Sequence, residues 1–286
     1  VFIKLPSVES KRDIQGIHDA GYELAQEIMV KTPSGGYPNS ARISCKPNWT
    51  CNAPVDGKSV FEQRGINTDH NFIEGFLKSV RDIGPQDISI IECACPSQWE
   101  VHGWPQMAER NGFNLRDLTS KDVWKLKRGR DLTFVKVPDG VVFKEIAFQV
   151  PTVQENTFLV NIAKFKAHGM GITACVKNLQ GISGKRFHQF CGGSRNIFKS
   201  YKKRYHKYFH KDYIERVSEL HEKHLKEGYP RWDKPENGGG FYMEQWCQRM
   251  LDSYSVTPTG INIVEGIYGR DGNGFQAGPH DKKAMD

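Results

Sequence analysis

Between Asn156 and Arg186 the chain reads NTFLVNIAKFKAHGMGITACVKNLQGISGKR, which gathers several reactive groups in a short span. His168, as a neutral imidazole, can accept a proton or ligate a metal. Lys164 and Lys166 add positive charge, Thr173 a hydroxyl and Asn178 a carboxamide. Lys177, nine residues after His168, has the chemistry of a Schiff-base lysine or of an anion-holding ammonium. Gly169 and Gly171 supply the flexible backbone that can wrap an oxyanion. GMG lacks the full spacing and the downstream acid of a dinucleotide loop.

Two more stretches end in polar groups. ARISC at 41–45 runs into KPNWT, which carries Lys46, Asn48 and Thr50, and Pro47 biases Lys46 towards extended backbone. DISIIEC at 87–93 carries Glu92 near its end, and the segment after it supplies His102. The expected site gathers His168, Lys177 and Glu92 as catalytic groups. Lys46, Asn48, Thr50, His102, Lys166, Thr173 and Asn178 are its binding groups, and His168 is its candidate metal ligand.

The elements that must position these residues follow from periodicity. Apolar spacing predicts helices over 14–30, 68–84 and 106–112; the second is capped by Thr68 or Asp69 and stopped by Gly84. Short β-branched runs predict strands at 41–45, 87–93, 141–147, 157–162 and 260–265. A helix over 173–180, stopped by Gly181, would bury Ile172, Val176 and Leu179 and turn Thr173 and Lys177 to its other face. Strand–helix alternation implies an α/β fold: a mainly parallel sheet with helices on both faces. In such folds ligands sit at the carboxyl ends of the strands. Residues 191–255 read instead as a helical insertion, rich in basic and aromatic side chains. The α/β domain is then discontinuous, 1–190 together with 256–286.

The net charge of +7 over 286 residues is local, since nine Lys/Arg and no Asp or Glu fall between Lys185 and Lys211. A helix starting at Arg195 would interleave Tyr201, Tyr205, Tyr208 and Phe209 with those charges, and would pair His206 with His210 four residues on. A basic aromatic helix over 195–211 suits a protein partner or nucleic acid, although aromatic residues at helical spacing more often pack onto their own domain. The seven cysteines contain no CxxC pair, so neither a disulfide scaffold nor a zinc ribbon is indicated. Cys45, Cys51, Cys93 and Cys95 are a metal set only if their two segments end side by side. No apolar run reaches the length of a membrane span. The composition is that of a soluble chain, cytoplasmic or exported; both ends look trimmed, which leaves any export signal open.

Three motifs in order, KPNW at 46–49, HGMGITACVKNLQG at 168–181 and INIVEGIYGRDGNG at 261–274, resemble the family catalogued as domain of unknown function 362. The resemblance spans about Ala41 to Gly274. That family is broad, often encoded near redox proteins, and its activity is uncharacterised. A more distant likeness is to the amino-terminal domain of nickel-dependent lactate racemase, where a histidine precedes a glycine-rich turn and a later lysine carries a nickel-pincer cofactor. His168 and Lys177 occupy comparable places. Lys46 and Asn48 stand where that family has an arginine-rich substrate motif, which is absent here, and GITACVKN replaces its glycine–serine turn.

Three readings are open at this level. The first is an enzyme, or degenerate enzyme, acting on a small anionic substrate by acid/base chemistry (isomerase- or redox-linked), with or without a divalent metal. The second is an accessory protein of a redox or metal system. The third is a nucleic-acid binder using the basic helix.

Overall fold

A computed structural model describes residues 3–5, 13–29, 42–49, 65–93, 99–118, 125–168, 171–183, 206–228, 240–257 and 260–269. Its centre is a five-stranded sheet in which every pairing is parallel. In chain order its strands are β1 (Arg42–Pro47), β2 (Ile88–Glu92), β3 (Asn114–Asp117), β6 (Thr157–Lys164) and β9 (Ile261–Glu265). They lie side by side as β3-β2-β1-β6-β9. The chain builds outward from β1 in one direction, then returns to β1's other side through β6. The order therefore reverses between β1 and β6, which opens a crevice at their carboxyl ends.

Alternation along the strands separates two cores. Ile43, Cys45, Val160 and Ile162 face a cluster with α1 (Ile14–Ile28), α2 (His70–Ile83) and α3 (Trp104–Arg110). α1 and α2 cross tightly because a Cβ at Gly21 would overlap the Phe72 carbonyl, and one at Gly75 the His18 carbonyl. The expected cap of α2 is present, with the Asp69 side chain accepting from Asn71 N at 2.9 Å. Thr68, the other candidate, serves elsewhere: its hydroxyl accepts from Asn48 N and donates to Ile162 O.

Leu159 faces the second cluster. There the antiparallel hairpin β4 (Leu132–Lys136) with β5 (Glu145–Gln149) packs with Leu179, Ile182, Tyr208, Phe209, Tyr213 and Val217. This region also holds α5 (Tyr213–Lys226) and α6 (Phe241–Ser255). Asp252 of α6 accepts from the backbone N–H groups of Val141, Val142 and Phe143, tying that loop to the helix. The α/β class and the predominantly parallel sheet agree with the sequence.

Several elements differ from expectation. The strand expected over 141–147 is Glu145–Gln149, and it belongs to the hairpin, not to the parallel sheet. Thr173 is not helical: β7 (Lys166–His168) turns back into β8 (Gly171–Thr173), because β-branched Ile172 and Thr173 find strand partners. The helix shrinks to one turn, α4 (Cys175–Asn178), and tightens into a 3₁₀ segment over Leu179–Ile182. Gly181 lies inside that segment, not beyond a helix end, and Ile172 and Val176 are exposed, not part of a buried stripe. In the basic region, 195–205 lies outside the described residues. His206–Tyr208 is a 3₁₀ turn and α5 begins only at Tyr213, so no α-helix sets His206 over His210. Tyr208 and Phe209 are core residues. Among the described residues no helix is long and apolar enough to cross a membrane.

Candidate functional site at the strand ends

Lys46 on β1, Asn161 on β6 and Asn262 on β9 are register partners, so their side chains form a row across three strands. α4 lies over this row and drops Asn178 into it. Asn178 Oδ1 accepts from Lys46 Nζ (3.1 Å) and from Asn48 Nδ2 (3.0 Å). Its Nδ2 donates to Lys46 O (3.0 Å) and to Asn161 Oδ1 (2.8 Å). Asn161 Nδ2 in turn donates to Asn262 Oδ1 and to Cys175 O.

Glu92 closes the network from β2. Its Oε2 accepts from Lys46 Nζ at 2.7 Å and from Trp49 N at 2.8 Å, while Oε1 accepts from Cys93 N. Lys46 is 1% exposed, Glu92 2% and Asn178 2%. Burial pushes the Glu92 carboxyl up and the Lys46 ammonium down, and their mutual attraction opposes both shifts. Both effects of burial favour the neutral forms, so the energy separating the ionised pair from the neutral one is smaller than in water.

A second buried ion pair ends the neighbouring strands. Lys164 Nζ contacts both oxygens of Glu265 at 2.8 and 2.7 Å, and Glu265 also accepts from Asp69 N and Ile267 N. Directly after Lys164 comes the β7–β8 hairpin. Lys166 opposes Thr173 and His168 opposes Gly171, so Lys166, His168 and Thr173 share its buried face. Lys166 Nζ donates to Ile66 O. The short segment carrying Ile66, Thr68 and Asp69 thus touches the hairpin, the β1–β6 crevice and Glu265 together.

His168 is held neutral, its pKa lowered to about 3 by burial and then by the charges of Lys177 and Lys166. Lys177 on α4 is half-buried, its ammonium 5.8 Å from the Trp246 ring centre. Thr173 Oγ1 is buried with no hydrogen-bond partner among the described residues. This neutral histidine has a measurable consequence for stability. Unfolding returns His168 to an ordinary imidazole that binds a proton below pH 6.5, which the folded ring refuses until about pH 3. Its contribution is complete above pH 6.5 and is lost as pH falls, by roughly 1.4 kcal/mol per unit across that window. Urea titrations of wild type and His168→Gln should therefore diverge in pH dependence between those limits, wild type falling more steeply. Parallel curves would show that the folded ring titrates normally.

The structure brings Lys46, Asn48, Glu92 and Asn178 into one network, and sets Lys166, His168, Thr173 and Lys177 around the hairpin. His102 stands among aromatic rings, stacked on Trp104 at 4.6 Å, which stacks on Trp49 at 4.3 Å. Thr50 lies outside the described residues. Asn161, the centre of the row, was visible only as a polar residue inside the apolar run TFLVNIA. Lys164, Glu265 and Gly181 carried no signal of their role. Cys45 lies within β1 opposite Ile90, Cys93 follows the end of β2, and burial pushes the Cys45 thiol up to about 12; Cys51 and Cys95 fall outside the described residues. Among the described residues no three His, Cys, Asp or Glu side chains gather as a metal site. His168 thus has a cationic neighbourhood and no described set of co-ligands.

A sequence profile for the family described as Domain of unknown function (DUF362) matches residues 44–285. The chain belongs to that family. The match covers the network, the hairpin and the helical region between β8 and β9. No curated protein and no solved structure matches the chain. The DUF362 assignment agrees with the three motifs, and the likeness to lactate racemase has no counterpart in these comparisons.

Proposed function

We propose that this DUF362 chain binds a small anionic molecule beside the β7–β8 hairpin, at the carboxyl ends of β1 and β6, and acts on it by proton transfer. The observation that carries this reading is the shared buried face of Lys166, His168 and Thr173 next to Lys177. Burial depresses the His168 pKa most, and the two ammonium groups of Lys177 and Lys166 lower it further by their positive potential. Low-dielectric surroundings strengthen the pull of those charges on an anion. Thr173 offers an uncommitted hydroxyl. His168, neutral at working pH, is the proton acceptor, and an arriving anion raises its basicity by offsetting the lysine charges. Lys46, Asn48, Asn178 and Glu92 are hydrogen-bonded to one another at the neighbouring strand ends.

Calorimetric titration of the full chain with inorganic phosphate and with malonate, at low salt, tests the reading. We expect saturable binding of at least one anion, weakened about tenfold or more by Lys177→Ala, a loss of at least about 1.4 kcal/mol. Affinity should fall with added salt. Absence of binding by either anion, or equal binding by a folded Lys177→Ala/His168→Ala variant, would overturn it.

A further inference from the structure

Lys46, Asn178 and Glu92 stand in an arrangement with a chemistry of its own. An amine, a carboxamide and a carboxyl group touch one another, and each of the three side chains is at most 2% exposed. Lys46 Nζ lies 3.1 Å from Asn178 Oδ1 and 2.7 Å from Glu92 Oε2. The carboxamide oxygen also accepts from Asn48 Nδ2 at 3.0 Å, a donor placed where negative charge would develop if Cγ were attacked. The carboxamide nitrogen is fixed by Lys46 O and Asn161 Oδ1, so the group cannot rotate away. The 3₁₀ backbone at Gly181 closes over Lys46 and Glu92 with no room for even a methyl group.

We propose that Lys46 and Asn178 become joined by an intramolecular isopeptide bond, with Glu92 as the proton carrier. Glu92 takes a proton from the Lys46 ammonium, and the neutral amine attacks Asn178 Cγ. The Nζ–Cγ bond forms, Asn48 Nδ2 supports the oxyanion, and the Cγ–Nδ2 bond breaks. The departing nitrogen takes up the further proton it needs from the attacking amine by way of Glu92 and leaves as ammonia. The ion pair and the carboxamide become a secondary amide, ammonia and a protonated Glu92; protons and charge balance with no oxidant, metal or co-substrate.

Enclosure supports each stage. The reactants are held at contact distance, which removes the entropy cost of meeting. Burial favours neutral Lys46 and protonated Glu92, the forms in which the one attacks and the other remains. An amide also removes a buried charge pair whose desolvation is costly. The second buried pair is an internal control: among the described residues Lys164 Nζ bonds Glu265 and no carboxamide. This chemistry uses none of Lys166, His168 or Lys177 and is independent of anion binding.

The test is the intact mass of the purified, folded full chain, measured under denaturing conditions, followed by proteolysis and tandem sequencing. The expected result is a deficit of one ammonia against the sequence mass and a branched peptide joining the segments that contain Lys46 and Asn178. Glu92→Gln, which preserves size, should restore the full mass. A full sequence mass in folded wild type would overturn the proposal, whatever the variants do. So would a deficit without the branched peptide, which marks an asparagine succinimide instead.

Discussion

Gly181→Ala is expected to destabilise the fold by about 3 kcal/mol, although it adds one methyl group. The backbone at Gly181 is not left-handed, so alanine meets no conformational penalty there. The cost is steric. A Cβ would overlap Glu92 Oε1 and Lys46 Cε and stand 2.8 Å from Lys46 Nζ. Flexible side chains usually yield to such an intrusion, but these two are pinned. Lys46 is tied to Pro47 O, Glu92 and Asn178, and Glu92 also holds the backbone of Trp49 and Cys93. To move either group is to break the buried contacts that hold it. Gly103 is the useful contrast: its φ is +72° and open space surrounds it. Alanine there meets backbone strain alone, about 1 kcal/mol. Urea unfolding of the two variants should rank them in that order. A Gly181→Ala protein within about 0.5 kcal/mol of wild type would mean the 3₁₀ segment does not press on the ion pair.

The contrast between these glycines marks what local sequence can and cannot convey. α2 was legible because its cap, its stripe of Phe72, Ile73, Phe76 and Leu77, and its Gly84 stop are encoded within one window. β2 was legible for a similar reason, as a short β-branched run within one window. Lys46, Asn48 and Glu92 were legible as strand-end groups, since each ends or follows a buried run, and the structure brings them together with Asn178. Their mutual pairing was not legible. Lys46 and Glu92 are separated by 46 positions, and Lys164 and Glu265 by 101, so the charge that neutralises each lysine is set by topology alone. This changes which lysines can serve a ligand. Lys46 looked like an anion holder and stands instead in a closed network, whereas Lys166 and Lys177 act electrostatically on His168. The segment after His168 was misread for a related reason. Thr173 and Lys177 are four apart, which suits one helix face, but pairing between Lys166 and Thr173 prevailed over helical spacing. The basic segment shows a third limit: its aromatic spacing was compatible with a binding face or a packing face. Tyr208 and Phe209 are resolved as packing.

Lys164→Met should lower stability by about 3–5 kcal/mol, because it leaves Glu265 buried without its ion-pair partner. Both side chains are 1% exposed, and the ammonium contacts both carboxylate oxygens. Solvent cannot take over the lost partner. The methionine side chain would fill most of the lysine's volume, so the loss reports charge more than packing. Adding Glu265→Gln to the same chain removes the stranded charge and keeps an oxygen that can accept from Asp69 N or Ile267 N. The double variant is therefore expected to recover at least about 2 kcal/mol relative to Lys164→Met. If the two losses simply add in a double-mutant cycle, the pair is not coupled as the geometry requires. Binding should follow the same pattern. The hairpin bearing Lys166 and His168 starts at the residue after Phe165, and Phe165 N is itself bonded to Glu265 O. A charge stranded at Glu265 displaces the strand end from which the hairpin is hung. Phosphate affinity should thus fall in Lys164→Met and return in the double variant, even though neither residue belongs to the proposed contact surface.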